Sequence, residues 1–113
     1  LRETDGCQYS VFRDGELVAV VGIKYPTEKY RYYCITDVAT KPSLRGQGIG
    51  SEVLKELISH PYLQKVHTWR SYVDKKNPKA KEFLERNGWM CIKDTPDEDG
   101  MWVMLREEDH TVR

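Results

Sequence analysis

No apolar run in this 113-residue chain approaches the roughly 20 residues needed to cross a bilayer, and no signal peptide is visible, so no membrane partner is expected. An excess of either charge is also missing, because 18 Lys and Arg meet 18 Asp and Glu. Without a net field to draw in a polyanion, nucleic acid is not an expected partner either. Cysteine is scarce: Cys7, Cys34 and Cys91 are widely spaced, form no CxxC pair and leave no disulfide framework. That usage fits a reducing, cytoplasmic location. His60 and His67 stand apart without metal-ligand spacing, so no metal site is expected. Repeats, linkers and low-complexity segments are absent, and residues 1–113 read as a single domain able to bury roughly two-thirds of its unfolded surface.

What is present alternates between strand and helix patterns. Gln8–Arg13 and Glu16–Tyr25 read as strands around Asp14-Gly15, a dipeptide suited to a tight hairpin turn. Tyr30–Thr40 reads as a long strand that Lys41-Pro42-Ser43 ends. From Ile49 to about His60, Ile49, Val53, Leu54, Leu57 and Ile58 keep a helical period, and Pro61 follows. Lys65–Val73 has strand character. Asn77-Pro78 places a cap residue before a proline suited to the first helical turn, Ala80, Phe83 and Leu84 form an apolar stripe, and Asn87-Gly88 supplies a stop. Trp89–Lys93 and Met101–Arg106 read as two more strands, with the acidic loop Asp94–Gly100 between them as solvated surface or substrate contact. The order β-β-β-α-β-α-β-β predicts an α/β domain with a mixed sheet and flanking helices.

Between the third strand and the first helix lies Leu44-Arg45-Gly46-Gln47-Gly48-Ile49-Gly50-Ser51. Alternate glycines there let backbone N–H groups converge on an anion with no side chain in the way, although a tight turn alone would also use them. A nucleoside-triphosphate loop is excluded, since no Gly-Lys-Ser/Thr occurs. A dinucleotide fingerprint also fails: counting from Gly46 its last position is Ser51, counting from Gly48 it is Val53, and Tyr62–Arg70 lacks the expected ribose-binding acid.

Arg45-Gly46-Gln47-Gly48-Ile49-Gly50 instead resembles [RQ]-x-x-G-x-[GA], the acyl-coenzyme A loop of the GNAT N-acetyltransferase superfamily. Val73-x-x-x-Asn77-x-x-Ala80-x-x-Phe83-Leu84-Glu85-Arg86-Asn87-Gly88-Trp89 is similar to the family's V-x-x-x-N-x-x-A-x-x-L-Y-E-K-x-G-F segment, so the likeness runs over about residues 8–106. The resemblance implies a GNAT-like, largely antiparallel mixed sheet, with the family's N-terminal strand and helices reduced or missing. It further implies an N-acetyltransferase that moves acetyl from acetyl-CoA to a primary amine by direct attack in a ternary complex. Cofactor contacts carry over to Val38, Ala39, Thr40, Arg45, Gly46, Gln47, Gly48, Ile49, Gly50, Ser51 and Asn77. The backbone N–H of Val38 becomes the donor to the thioester oxygen. Asp37 takes the place of the general base, acting directly or through water, or else is a strand carboxylate that organises loops. Asn77 reads as a pantetheine contact, a helix cap, or both. One of Lys75, Lys76, Lys79 and Lys81 could meet the cofactor's 3′-phosphate, unless they form a solvated face.

The departure from the pattern is Leu84, where many members carry the tyrosine that protonates the leaving thiolate. Tyr72 or Tyr33 could replace it, or be a plain aromatic. An alternative reading is therefore a coenzyme A-binding module with little transferase activity, and a more distant one is an interaction domain with purely structural glycines. In related folds a strand and helices before the first hairpin wall off the acceptor, and this sequence has only Leu1–Cys7 there. Either that part lies outside the sequence, which begins with Leu1 rather than Met, or the cleft is open. An open, neutral cleft suits a peptide or protein N-terminus or lysine better than a small polyamine. Family members often pair through edge strands, so a homodimer is a further expectation.

Overall fold

A computed structural model of the chain describes residues 6–64 and 66–107. Its strands are β1 (Gly6–Arg13), β2 (Glu16–Lys24), β3 (Tyr33–Thr40), β4 (Thr68–Asp74), β5 (Met90–Cys91) and β6 (Met101–Glu107). The helices are α1 (Ile49–Ser59), between β3 and β4, and α2 (Pro78–Arg86), between β4 and β5. All six strands join one sheet in the order β1-β2-β3-β4-β6-β5. Only β3 and β4 run parallel, as they must when a helical crossover links them.

Local chemistry explains most element boundaries. Asp14 (φ 54°) and Gly15 (φ 82°) both take left-handed conformations, which matches the turn twist to the β1–β2 hairpin. α1 stops at Ser59 rather than His60 because His60 precedes Pro61, and a residue before proline leaves the helical region. At the start of α2, the Ala80 N–H donates to Asn77 Oδ1 at 3.3 Å. At its end, Gly88 (φ 91°) lets the Trp89 N–H reach the Leu84 carbonyl at 3.0 Å and its own N–H reach that of Glu85 at 3.2 Å. This paired closure buries Trp89 against the helix it ends.

The expected strands differ in extent by one or two residues at β1, β2 and β6, and by three or more at β3, β4 and β5. Tyr30–Tyr32 lie outside β3, because the Thr27 N–H donates to the Tyr30 carbonyl and the Tyr30 N–H to Thr27 Oγ1, closing a turn. β4 begins at Thr68 and runs one residue beyond Val73; Lys65 lies outside the described residues. β5 keeps only Met90 and Cys91, since Trp89 is spent on the helix stop and Lys93 leads into the acidic loop. In that loop Asp97 Oδ1 accepts from the N–H groups of Asp99 and Met101, both at 2.9 Å.

Both helices flank the same face of the sheet. A Cβ on Gly50 of α1 would lie 3.1 Å from the Phe83 ring of α2, so the helices touch. Val53, Leu54, Leu57 and Ile58 from α1 and Leu84 from α2 join one buried cluster with Val21, Ile23, Ile35, Val73 and Met104 of the sheet. No helix among the described residues covers the opposite face, where Tyr72 and Met90 are exposed. At the centre of the core Trp69 (1% exposed) stacks on Tyr33, with ring centroids 4.7 Å apart, across the parallel β3–β4 pair. Trp69→Ala is expected to cost about 3–5 kcal/mol of folding stability, read as a lowered denaturant midpoint with an unchanged slope.

Candidate functional site

The site is set by where β3 and β4 part. They pair only from Tyr33 to Ile35 against Trp69 to Ser71. At the last pair the buried Ser71 hydroxyl donates to the Ile35 carbonyl at 3.1 Å. One residue later β3 bulges: Ile23 opposes Ile35 but Gly22 opposes Asp37, which leaves Thr36 as the inserted residue. A bulge bends its strand and adds twist, which carries β3 away from β4. Thr36 and Asp37 then both project over Gly22, on the face opposite the helices. The Thr36 hydroxyl donates to Asp37 Oδ1 at 2.9 Å, and the carboxylate is exposed.

Beyond the bulge the hydrogen-bond alternation of β3 is defined. The Lys41 N–H donates to the Val18 carbonyl at 2.9 Å. Antiparallel register then makes Val20–Ala39 the next bonded pair and leaves Val21–Val38 and Ala19–Thr40 as non-bonded pairs. The backbone groups of Val38 and Thr40 therefore point away from β2, into the gap left by β4. Those of Ala39 are committed to β2.

After β3 a 3-10 turn (Pro42–Leu44) leads through extended Arg45 to Gly46 (φ 81°) and Gly48 (φ 78°). Both are left-handed, a conformation that costs other residues about 1–2 kcal/mol. Gly48 caps α1, and the first helical bond runs from the Glu52 N–H to the Gly48 carbonyl at 3.1 Å. The N–H groups of Ile49, Gly50 and Ser51 thus lack an intrahelical acceptor at the positive end of the helix dipole. Gly50 has ordinary helical geometry, and its lack of a side chain makes room for Phe83.

These features enclose a cleft of about 660 Å³. Of the residues expected from sequence to hold cofactor, Val38, Thr40, Arg45, Gly46, Gly48, Ile49, Gly50, Ser51 and Asn77 line it, together with Asp37. Ala39 does not; it lines a hollow with Glu16 and Leu17 on the β2 side, as its committed backbone requires. Gln47 is exposed beside the lining. Asn77 caps α2 through Oδ1, so its amide NH₂ is the group left to donate. None of Lys75, Lys76, Lys79 and Lys81 lines the cleft. Lys81 pairs with Glu85 at 3.0 Å and lies 4.8 Å from the Trp102 ring centroid.

Sequence reasoning missed Thr36, Ser71, Asp74 and Arg86 as lining residues. Gly22 inside a β-branched run was the available signal for the bulge. Tyr33 is buried under Trp69 and away from the cleft, whereas Tyr72 lines it and is exposed. The hydroxyls of Tyr72 and Tyr32 lie 3.4 Å apart, and the Arg70 guanidinium sits 4.5 Å over the Tyr32 ring. The Tyr72 hydrogen bond, then burial, pushes the Tyr32 phenol up to about 12. Among the described residues, no group of three or more His, Cys, Asp or Glu could hold a metal ion, and no helix is long and apolar enough to cross a membrane.

The sequence model of the acetyltransferase (GNAT) family matches residues 1–89, and the chain belongs to that family. Acetyltransferase PseH of Campylobacter jejuni subsp. jejuni serotype O:23/36 (strain 81-176) is 28% identical over 102 residues, covering 89% of this chain and 60% of the relative. Among solved structures, an acetyltransferase of Thermus thermophilus superposes with a TM-score of 0.76 at 20% identity, over 92% of this chain and 65% of that one. The ribosomal-protein-S18-alanine N-acetyltransferase of Escherichia coli gives 0.71 at 17% identity, over 99% and 77%. A chimera of Vibrio cholerae spermidine N-acetyltransferase SpeG and hSSAT gives 0.76 at 16% identity, over 93% and 69%. The chain thus spans less than two-thirds of the length of PseH and of the Thermus protein.

The bulge makes a specific expectation. A Cβ on Gly22 would run into Asp37 Oδ1 and Thr36 Oγ1. Gly22→Ala should force the carboxylate aside at little cost in melting temperature. A structure of the variant should show the hydrogen bond between the Thr36 hydroxyl and Asp37 broken, and one that keeps it would contradict the expectation.

Proposed function

We propose that this chain binds acetyl-CoA in the β3–β4 cleft and transfers its acetyl group to a primary amine by direct attack in a ternary complex. One observation carries the reading: two sets of unspent backbone donors face the same cleft. The N–H groups at the start of α1 suit a pyrophosphate, and the Val38 and Thr40 edge suits the amide-bearing pantetheine arm as an added strand. Bound acetyl-CoA supplies the thioester. The Val38 N–H donates to its carbonyl oxygen as negative charge develops, and this donor is already aimed before substrate arrives. Arg45 and the Gly46–Ser51 backbone hold the phosphates, and the Asn77 amide orients the thiol end.

Asp37 lies across the bulge from the helix side, on the open face by which an amine approaches. There its carboxylate takes a proton from the amine, through water because the aspartate side chain is short. The amine lone pair forms the new C–N bond as the C–S bond breaks, and the thiolate leaves. Leu84 is buried at the lining and has no proton to donate. With a thiol pKa near 8.5 in the free state, departure as thiolate is tolerable and slower turnover follows. Leu84 also favours a second reading, a coenzyme A-binding domain with little activity.

Assays of thiol release against a panel of amines, spermidine and peptides included, decide between the two. Asp37→Asn is expected to lower turnover about 10²- to 10⁴-fold with acetyl-CoA binding unchanged. Binding without turnover on any amine supports the second reading. No calorimetric signal at millimolar acetyl-CoA contradicts both.

A further inference from the structure

Resting on the transferase reading, we infer that Lys24 and Arg70 form an anion-binding row beside Asp37, and that the acceptor is an amine that also carries a carboxylate or phosphate. The sheet register builds the row. Lys24 of β2 opposes Cys34 of β3, and Cys34 in turn opposes Arg70 of β4. Their neighbours Ile23, Tyr33, Ile35 and Trp69 are buried in the core with the helices, and side chains alternate along a strand. Lys24, Cys34 and Arg70 therefore share the open face. Burial pushes the Cys34 thiol up, and the Lys24 and Arg70 charges on either side pull it back down. Both cations thus act on the same spot above β3.

Neither cation is spent within the fold. No ion pair among the described residues includes Lys24 or Arg70, and Arg70 Nε is buried without a hydrogen-bond partner. The Arg70 guanidinium rests 4.5 Å over the Tyr32 ring, which fixes it in place and leaves its N–H groups to donate to an anion. Two residues along β2 lead from Lys24 to Gly22, and two along β4 lead from Arg70 to Tyr72. Gly22 opposes Asp37, and Asp37 and Tyr72 both line the cleft. Two residues of strand span about 7 Å. Asp74 lies two residues farther in the same direction, on the same face, and also lines the cleft. The face is thus acidic where the amine loses its proton and cationic about 7 Å away. A chain without net charge has separated its charges along one surface. A diamine would set its second cation against Lys24 and Arg70, whereas an anion at that distance meets both.

Steady-state acetyl transfer to four acceptors of similar length tests this: aminohexanoate, aminopentyl phosphate, hexylamine and diaminohexane. Wild type should favour the two acids over hexylamine by roughly fivefold or more in kcat/KM, chiefly through KM, and should disfavour diaminohexane. The preference should shrink as salt is raised, and the larger of the two gains tells carboxylate from phosphate. Lys24→Gln and Arg70→Gln should each weaken it, and Lys24→Glu should turn it toward diaminohexane. Lys79→Gln, which removes a cation from α2, should keep it. Lys24 is exposed, so its variants should melt at the wild-type temperature and bind acetyl-CoA as wild type does. Equal kcat/KM for acid, hydrocarbon and diamine in wild type overturns the inference. So does a preference for the acids that Lys24→Glu leaves unaltered. If acetyl-CoA binds and no amine of any charge is acetylated, the transferase reading itself falls, and the inference with it.

Discussion

The separation of β3 from β4 is the constraint on which the rest of the molecule depends. Parallel strands in one sheet normally share a ladder, and here the ladder ends at Ile35–Ser71, with the Ser71 hydroxyl taking the last carbonyl. Beyond it the inserted Thr36 turns β3 aside and leaves the Val38 and Thr40 backbone without a strand partner. Unpaired backbone groups inside a protein are costly unless something else satisfies them. In this chain they border a cleft, and under the proposed function the added partner is a ligand with its own amides.

The wedge has to be held open by packing. On one side of the parting, Trp69 and Tyr33 stack and bind the short paired stretch of β3 and β4 together. On the other, α1 and α2 meet at Gly50 and Phe83 and close the cleft from the helix face. The same glycine-rich turn serves two needs: Gly46 and Gly48 take left-handed conformations that aim the backbone, while Gly50 admits the neighbouring helix. On the opposite face Asp37 and Tyr72 are exposed among the described residues. Under the proposed function, donor and acceptor reach the cleft from different sides of one sheet.

Much of this was legible in the residues. Asp14-Gly15, Asn77-Pro78 and Asn87-Gly88 placed turn, helix start and helix stop, because each depends on local backbone chemistry. The glycine loop and the Val73–Trp89 segment pointed to the family that the match over residues 1–89 establishes. The bulge was not legible as such: Gly22 marks it, but only the register against Asp37 shows which residue is inserted. For the same reason Ala39 was grouped with Val38 and Thr40, although alternate residues of a strand face different neighbours. Lys75, Lys76, Lys79 and Lys81 looked suited to a phosphate by charge alone, but none of them lines the cleft, and Lys81 turns to Glu85 and Trp102.

The central claim is that the free edge of β3 is the cofactor's docking strand. Residue-resolved amide hydrogen exchange, with and without saturating acetyl-CoA, tests it most directly. Without ligand the Ala39 amide, bonded to β2, should exchange slowly, while those of Val38 and Thr40 exchange fast. Acetyl-CoA should slow exchange on this edge, most strongly at Val38, and leave Ala39 little changed. Saturating acetyl-CoA that leaves the Val38 amide as exposed as before would contradict the account.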